Sequence, residues 1–168
     1  MMRLPPGAGV VFRPFGAPGA LAQGRILRAL AARRRLVFLV GADARLAAAL
    51  RADGVHLPER LAHTARGVRR ARPGWRITAA AHSLAACVAA RRAGVEAVVI
   101  SPVFPSASPS AGRALGTLRF SLLARAARLP AYALGGVGAR TIRRLKLGPA
   151  VGVAVIGGLL DEEPGGKT

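Results

Sequence analysis

The stretch HSLAACVAARRAGVEAVVISPV, residues 82–103, contains both halves of the repeating unit from which this chain is built. Its first part is rich in alanine, has apolar residues at helical spacing, and ends in arginines followed by Gly94, as helix C-termini commonly do. Its second part, residues 95–103, is a nearly continuous apolar and β-branched run. Such a run is typical of a strand that is buried on both faces. The stretch therefore predicts a helix followed by a strand of a parallel sheet.

Six further apolar runs of this kind lie along the chain, and segments rich in Ala, Leu and Arg fill most of the intervals between them. The runs are residues 9–13, 36–40, 53–57, 75–79, 129–134 and 151–156. Repeated strand–helix units favour an α/β fold of the (β/α)8 TIM-barrel type over an open doubly wound sheet. The strands visible in the sequence number seven, one fewer than such a barrel contains.

A missing strand would leave two unpaired sheet edges, which are costly or prone to association. Three explanations stay open. The start codon could have been assigned too late, the barrel could be open, or a partner chain, such as a second copy in a homo-oligomer, could close it.

Length and composition indicate one compact domain, which we place at residues 1–160, followed by a short polar tail at residues 161–168. The chain has 168 residues and is 52% hydrophobic, which is enough to bury a core. The single cysteine, Cys87, excludes an internal disulfide and fits a reducing compartment. No apolar run approaches the roughly 18 residues of a membrane span, and prolines with Arg13 interrupt the apolar N-terminus. We therefore expect a cytoplasmic protein without membrane association.

The formal net charge of +19 raises the question of nucleic-acid binding. The arginines cluster where the predicted helices end, and cations there complement the helix dipole while staying solvated. Aromatic residues make up only 4% of the chain, so few side chains are available to stack on bases. These features favour a solvated basic surface over a nucleic-acid interface.

In TIM barrels the functional residues follow the C-terminal ends of the strands. Two glycine-rich turns stand at such positions late in the chain, Gly135 with Gly136 and Gly157 with Gly158. Backbone N–H groups at such turns can bind phosphate, and the loops after the last two barrel strands commonly do so. The simpler explanation is that glycine only permits a tight turn. Because two such turns follow the last two strands, we predict a phosphate site.

His82 follows a predicted strand and begins a helix, where a neutral imidazole can act as a general acid or base. An N-capping or packing role is equally compatible with its position. His56 lies inside a strand run and is expected to pack or form a hydrogen bond in the interior. His63 lies in a polar helix without an evident partner, and Cys87 is expected to be a core residue.

The loop that follows the strand run at residues 95–103 is unusual in composition. It contains four of the six serines of the chain, Ser101, Ser106, Ser108 and Ser110. We call residues 101–116 the serine loop. Its position after a strand predicts that its hydroxyl groups line an anion site.

Taken together, these motifs resemble the thiamine phosphate synthase/TenI family of (β/α)8 barrels. ADGVHL at residues 52–57 is similar to the fourth-strand signature of that family, and residues 82–106 are similar to its run from a histidine-bearing loop through the sixth strand. ALGGV at residues 133–137 and GVAVIGG at residues 152–158 resemble its two phosphate-binding turns. The resemblance extends from residue 9 to about residue 159, and it implies that the first βα unit of the family is the missing one.

The resemblance implies one of two reactions. The synthases join a pyrimidine pyrophosphate to thiazole phosphate, with Mg²⁺ held by aspartates, and are transferases. TenI-type members isomerise thiazole phosphate through the histidine that His82 matches, and they do not need that metal site. The family's Gln-x-Arg keeps only Arg13, and its metal-binding motifs are reduced to Asp43 and Glu59 as weak candidates.

The serine loop matches the family's pyrophosphate-binding hydroxyls at Ser106 and Ser108, but Pro109 occupies the position of the lysine that follows them. Losing that cation weakens the stabilisation of a departing pyrophosphate. Arg113 is the nearest candidate to replace it. The surviving residues therefore favour a tautomerase-like isomerase that binds thiazole phosphate or a related small phosphate. A synthase with substituted residues and a non-catalytic phosphate binder stay open as alternatives.

Overall fold

The computed structural model of the chain describes residues 4–106, 112–145 and 150–156. Every predicted strand run forms a strand, because each is apolar enough to be covered on both faces. The strands are β1 Gly9–Phe12, β2 Val37–Gly41, β3 Gly54–Leu57, β4 Arg76–Ala81, β5 Ala97–Ile100, β6 Ala131–Ala133 and β7 Gly152–Val153. Their order in the sheet follows their order along the chain.

Helices occupy the intervals between the strands. They are α1 Ala20–Arg33, α2 Ala44–Ala49, α3 Ala65–Ala71, α4 Leu84–Arg92, α5 Gly116–Ala127 and α6 Ala139–Ile142, with a 3-10 helix at Glu59–Thr64. Parallel strands that alternate with helices confirm the predicted α/β fold of the TIM-barrel type. Within the described ranges, no helix has the length and apolarity to span a membrane.

The chain divides into two compact units. The first unit comprises Met1–Ala80 and Ala89–Glu96, and the second comprises Ala81–Val88 and Ala97–Thr168. The prediction of one domain at residues 1–160 stays a prediction, and the predicted tail lies outside the described residues.

The core of the first unit is formed by strands that pair in parallel, with Val10 opposite Phe38 and Val55 opposite Ile77. Phe38, Val55 and Ile77 are fully buried, and the ring of Phe12 stacks on that of Phe38 with 6.2 Å between centroids. Burial of these large side chains contributes to the hydrophobic stabilisation of this unit.

Asp53 joins three segments of the first unit. Its carboxylate accepts a hydrogen bond from the Phe38 N–H at 2.8 Å and one from Arg28 of α1 at 3.2 Å. Arg28 also donates to the carbonyl of Arg51 at 2.9 Å. One carboxylate thus fixes the beginning of β3 to both β2 and α1.

In the second unit, β5 pairs with β6 and β6 pairs with β7, both in parallel. Helix α5 buries Phe120, Ala124 and Ala127. Cys87 is fully buried, which confirms its prediction as a core residue.

The arginine clusters lie where the sequence predicted them. Arg33, Arg69 with Arg70, Arg91 with Arg92, and Arg125 occupy the last turns of α1, α3, α4 and α5. Helix α3 is also bonded to the end of α4 and the segment after it, since Arg66 donates to the carbonyl of Arg92 at 2.8 Å and Arg69 pairs with Glu96 at 2.7 Å. The arginines in these last turns therefore complement the helix dipoles.

Replacing Gly54 with alanine is expected to destabilise the protein by at least about 2 kcal/mol. A Cβ at this position would overlap the carbonyl oxygen of Arg76 on β4 and lie 2.7 Å from the backbone nitrogen and carbonyl carbon of that residue. Only a shift of the sheet backbone could relieve this overlap. Urea denaturation followed by circular dichroism measures the loss.

Gly67→Ala is the matched control. Gly67 lies inside α3, and nothing lies within 4 Å of a Cβ placed there. Alanine in a helix interior is favoured over glycine by about 0.5–1 kcal/mol, so the control is expected to gain stability. Equal stability of the Gly54→Ala variant and the native chain would contradict the assigned strand packing.

Candidate functional site

The residues that the sequence predicted for the site fall into two groups, one in each compact unit. In the first unit, Arg13 follows β1, is exposed, and holds its guanidinium carbon 4.7 Å above the ring of Phe15. Gly41 at the end of β2 makes room for it, because a Cβ there would collide with the Arg13 side chain.

His56 on β3 is buried, with 8% of its surface exposed. Its Nδ1 lies 2.9 Å from the Thr78 hydroxyl of β4, the residue paired with it in the sheet. Its carbonyl accepts the N–H of Ala42 at 2.9 Å. The predicted interior hydrogen bond is therefore confirmed. Burial, and secondarily the positive charge of Arg13, lowers the pKa of His56 from 6.5 to about 4. The imidazole is neutral at physiological pH.

The two candidate metal ligands are not brought into a metal site by the described residues. Asp43 is exposed and caps α2, because its carboxylate accepts the Leu46 N–H at 2.8 Å. Glu59 lies in the first turn of the 3-10 helix. No group of three or more His, Cys, Asp or Glu side chains that could hold a metal ion occurs in the described part of the chain. These residues do not fit an assembled Mg²⁺ site.

In the second unit, His82 follows β4 and is exposed. Its Nδ1 lies 2.7 Å from the carbonyl oxygen of Ser101, and 3.4 Å from the Ser101 hydroxyl. A carbonyl can only accept, so Nδ1 carries the proton and the lone pair of the neutral ring is on Nε2. Ser83, not His82, caps α4 by accepting the Ala86 N–H at 3.1 Å. This tautomer suits a proton acceptor at Nε2.

The beginning of the serine loop is held between α5 and the end of β6. On one side the carbonyls of Pro102 and Val103 accept the N–H groups of Leu115 and Gly116, both at 2.9 Å. On the other side the N–H of Val103 donates to Leu134, again at 2.9 Å. Of the two serines predicted to bind pyrophosphate, Ser106 is half-buried, and Ser108 lies outside the described residues.

Gly135 and Gly136 form a turn directly against the serine loop. Both have left-handed backbones, with φ of +91° and +62°. A Cβ on Gly135 would lie 2.7 Å from Pro102, and one on Gly136 would overlap the carbonyl oxygen of Pro105. Packing against the serine loop therefore explains why both positions are glycine, and phosphate binding at the turn stays a prediction. Gly157 and Gly158 lie outside the described residues.

Two threonines that sequence reasoning missed stabilise the site. Thr78 bonds His56, and the Thr141 hydroxyl donates to the Gly136 carbonyl at 2.7 Å while accepting the Gly138 N–H at 2.9 Å. The position of Thr141 three residues after Gly138, at the beginning of α6, is the signal that could have identified it. His63, predicted without a partner, is exposed in the 3-10 helix.

The stability of the protein is expected to fall by up to about 3 kcal/mol as the pH decreases from 6.5 to about 4 because of His56. The unfolded imidazole binds its proton near pH 6.5, whereas the folded one binds it only near 4, so acid favours the unfolded state. Urea denaturation at a series of pH values measures this loss.

His56→Gln removes the titrating group, so its stability is expected to decline less than that of the native chain over the same pH range. His63→Gln, an exchange on an exposed side chain, serves as the control and is expected to follow the native pH profile. Parallel profiles for the native chain and His56→Gln would contradict the buried, neutral state of His56.

Comparison with known proteins bears on which family this chain belongs to. A family model described as thiamine monophosphate synthase (TMP-TENI) matches residues 13–159. A relative from Aquifex aeolicus named "Putative thiamine-phosphate synthase 2" is 30% identical over 135 residues, which is 80% of this chain and 72% of the relative. The thiamine-phosphate synthase of Methanoculleus marisnigri is 34% identical over 127 residues, 75% of this chain and 60% of the relative.

A solved structure with the same fold is the thiamine phosphate pyrophosphorylase from Pyrococcus furiosus. It superposes with a TM-score of 0.78 at 23% sequence identity and covers 93% of this chain and 76% of that one. Because the family model spans residues 13–159, the chain belongs to the thiamine monophosphate synthase family.

Proposed function

We propose that the chain is a transferase of thiamine biosynthesis, a thiamine-phosphate synthase that joins a pyrimidine pyrophosphate to a thiazole phosphate with release of pyrophosphate. The observation that carries the proposal is the family match over residues 13–159, together with relatives named for this activity. This proposal reverses the preference for a tautomerase that the surviving motif residues suggested.

The anion-binding part of this proposal lies in the second unit. Ser106 and Ser108 would bind the pyrophosphate, and the turns at Gly135 with Gly136 and Gly157 with Gly158 would bind the thiazole phosphate. The contact of Gly135 and Gly136 with residues 102–105 supports this assignment, because it holds the loops after β5 and β6 together. Arg13 in the first unit is proposed as a further substrate-binding cation.

Mg²⁺ supplies charge neutralisation of a leaving pyrophosphate where a synthase binds it. Asp43 and Glu59 remain its only candidate ligands from the sequence motifs. The Asp43 carboxylate is engaged in capping α2, and the carboxylates of the described residues do not cluster. The proposal therefore assigns the binding of both substrates to the serines, the glycine turns and Arg13. It assigns no metal-dependent step to these residues.

The purified chain is expected to form thiamine phosphate from the pyrimidine pyrophosphate and thiazole phosphate. Product formation is measured by chromatography after oxidation to the fluorescent thiochrome, with and without Mg²⁺. Asp43→Asn is the informative variant, because asparagine caps a helix as well as aspartate does. Because Asp43 caps α2, Asp43→Asn is expected to keep turnover and its Mg²⁺ dependence. A loss of turnover at unchanged stability that a higher Mg²⁺ concentration restores would instead identify Asp43 as a metal ligand, and no product from the native chain at high enzyme concentration would exclude the synthase.

The geometry of His82 favours a second candidate function, isomerisation of thiazole phosphate. Its Nδ1 is oriented by the Ser101 carbonyl at 2.7 Å, which leaves Nε2 as the basic nitrogen. Proton removal at one ligand atom and return at another needs an acid/base group of this kind and no metal. A non-catalytic phosphate binder, the remaining alternative, would bind thiazole phosphate without converting it.

His82→Asn is expected to lower isomerisation by about 10²–10⁴-fold while ligand binding is kept. The asparagine amide can still donate to the Ser101 carbonyl but provides no basic nitrogen. Isomer ratios followed by NMR measure the rate, and His63→Gln provides a histidine control. Undiminished isomerisation by His82→Asn would exclude His82 as the acid/base group.

A further inference from the structure

A cavity of about 500 Å³ lies within the second unit beside the serine loop. Its walls are residues 103–105 of the loop, residues 114–117 around the beginning of α5, and Arg144, which follows α6. A cavity of this size suits a small organic molecule.

Arg144 is held at this cavity by an aromatic ring. Its guanidinium carbon lies 5.4 Å from the centroid of Phe104. The ring is itself fixed, because Phe104 is only 5% exposed and its N–H donates to the Gly135 carbonyl at 2.9 Å. A guanidinium stacked on a ring keeps its N–H edge available to an acceptor in its own plane. Stacking on Phe104 therefore keeps the exposed Arg144 side chain beside the cavity.

The charge around the cavity is positive. None of the described residues that line it carries a carboxylate. Within the described parts of the chain the ion pairs are Arg28 with Asp53 and Arg69 with Glu96, and none involves Arg144. Thr117 adds a hydroxyl group to the lining, and the other described lining side chains, apart from Arg144, are apolar. This combination suits an anionic group attached to a small apolar body.

The structure also separates two candidate cations. Arg113, the sequence-based candidate to replace the lysine lost at Pro109, is exposed and is not a lining residue. Arg144 does line the cavity, although it lies directly after α6 and is far from the serine loop in sequence. Arg144 is therefore the cation that the structure places at the cavity.

We propose that this cavity binds the phosphate or diphosphate group of a small organic ligand, with Arg144 as its cation and Thr117 as a hydroxyl donor. The inference rests on the proposed function for the class of ligand only. Inorganic pyrophosphate and inorganic phosphate are the probes that separate a diphosphate site from a monophosphate site.

The test is isothermal titration calorimetry of the full chain with each probe. Arg144→Met keeps a long side chain over Phe104 but removes the charge, and it is expected to weaken binding of the preferred probe by about 10-fold or more. Arg144→Lys is expected to lose less, since it keeps the charge without the planar donor pair. Thr117→Val is expected to weaken binding by a smaller factor of about 3–10.

Arg143→Met is the matched control, because Arg143 is the neighbouring arginine, is exposed like Arg144, and does not line the cavity, while its loss changes the net charge equally. Equal affinities of Arg143→Met and Arg144→Met would overturn the inference, as would the absence of binding of both probes to the native chain. If Arg144→Met fails to fold by circular dichroism, Arg144→Lys and Thr117→Val decide the matter, and unchanged affinity in both would overturn it.

The synthase assay on the same proteins separates this inference from the proposed function. Binding that depends on Arg144 without thiamine phosphate formation would support the cavity and reject the synthase. If the native chain forms thiamine phosphate but the Arg144 variants bind the probes as tightly as the native chain does, the cavity inference is rejected and the synthase proposal is kept.

Discussion

The close approach of Gly135 and Gly136 to residues 102–105 is the contact on which the second unit's candidate site depends. Because both residues are glycines in the left-handed conformation and lack a Cβ, the turn after β6 can lie in direct contact with the loop after β5. The hydrogen bonds from Val103 to Leu134 and from Phe104 to Gly135 then continue the pairing of β5 and β6 beyond the strands. These contacts position residues 102–105 of the serine loop, Phe104 among them, against the glycine turn.

The two histidines that follow or end strands have opposite environments, and this decides what each can do. His56 is enclosed, bonded to Thr78, and kept neutral by burial. His82 is exposed and has its tautomer set by a backbone carbonyl. A group that exchanges protons with a ligand must be accessible to it, and of these two histidines His82 alone meets that requirement. His56 contributes to the architecture of the first unit.

Family membership and residue-level chemistry point in different directions in this protein. The family match favours a synthase, whereas the residues around the site retain a histidine and hydroxyl groups more completely than metal-binding carboxylates. Asp43 illustrates the difference, since an acidic residue after a strand has a second use as a helix cap. A motif position alone does not distinguish a ligand from a cap, because both need the same oxygen atoms at the end of a strand.

The sequence by itself determined the seven strands, the helices between them, the burial of Cys87 and the interior position of His56. Periodicity and apolar content report burial, and burial is what selects these elements. Only the tertiary structure decided that Asp43 caps α2, that the glycine turn packs on the serine loop, and that Arg144 rather than Arg113 reaches the cavity beside that loop. The contacts of the glycine turn and of Arg144 join residues from different βα units, and their partners depend on strand register and loop path, which no local pattern encodes. The Asp43 cap is a contact over three residues, and the sequence left open whether that carboxylate is a cap or a ligand.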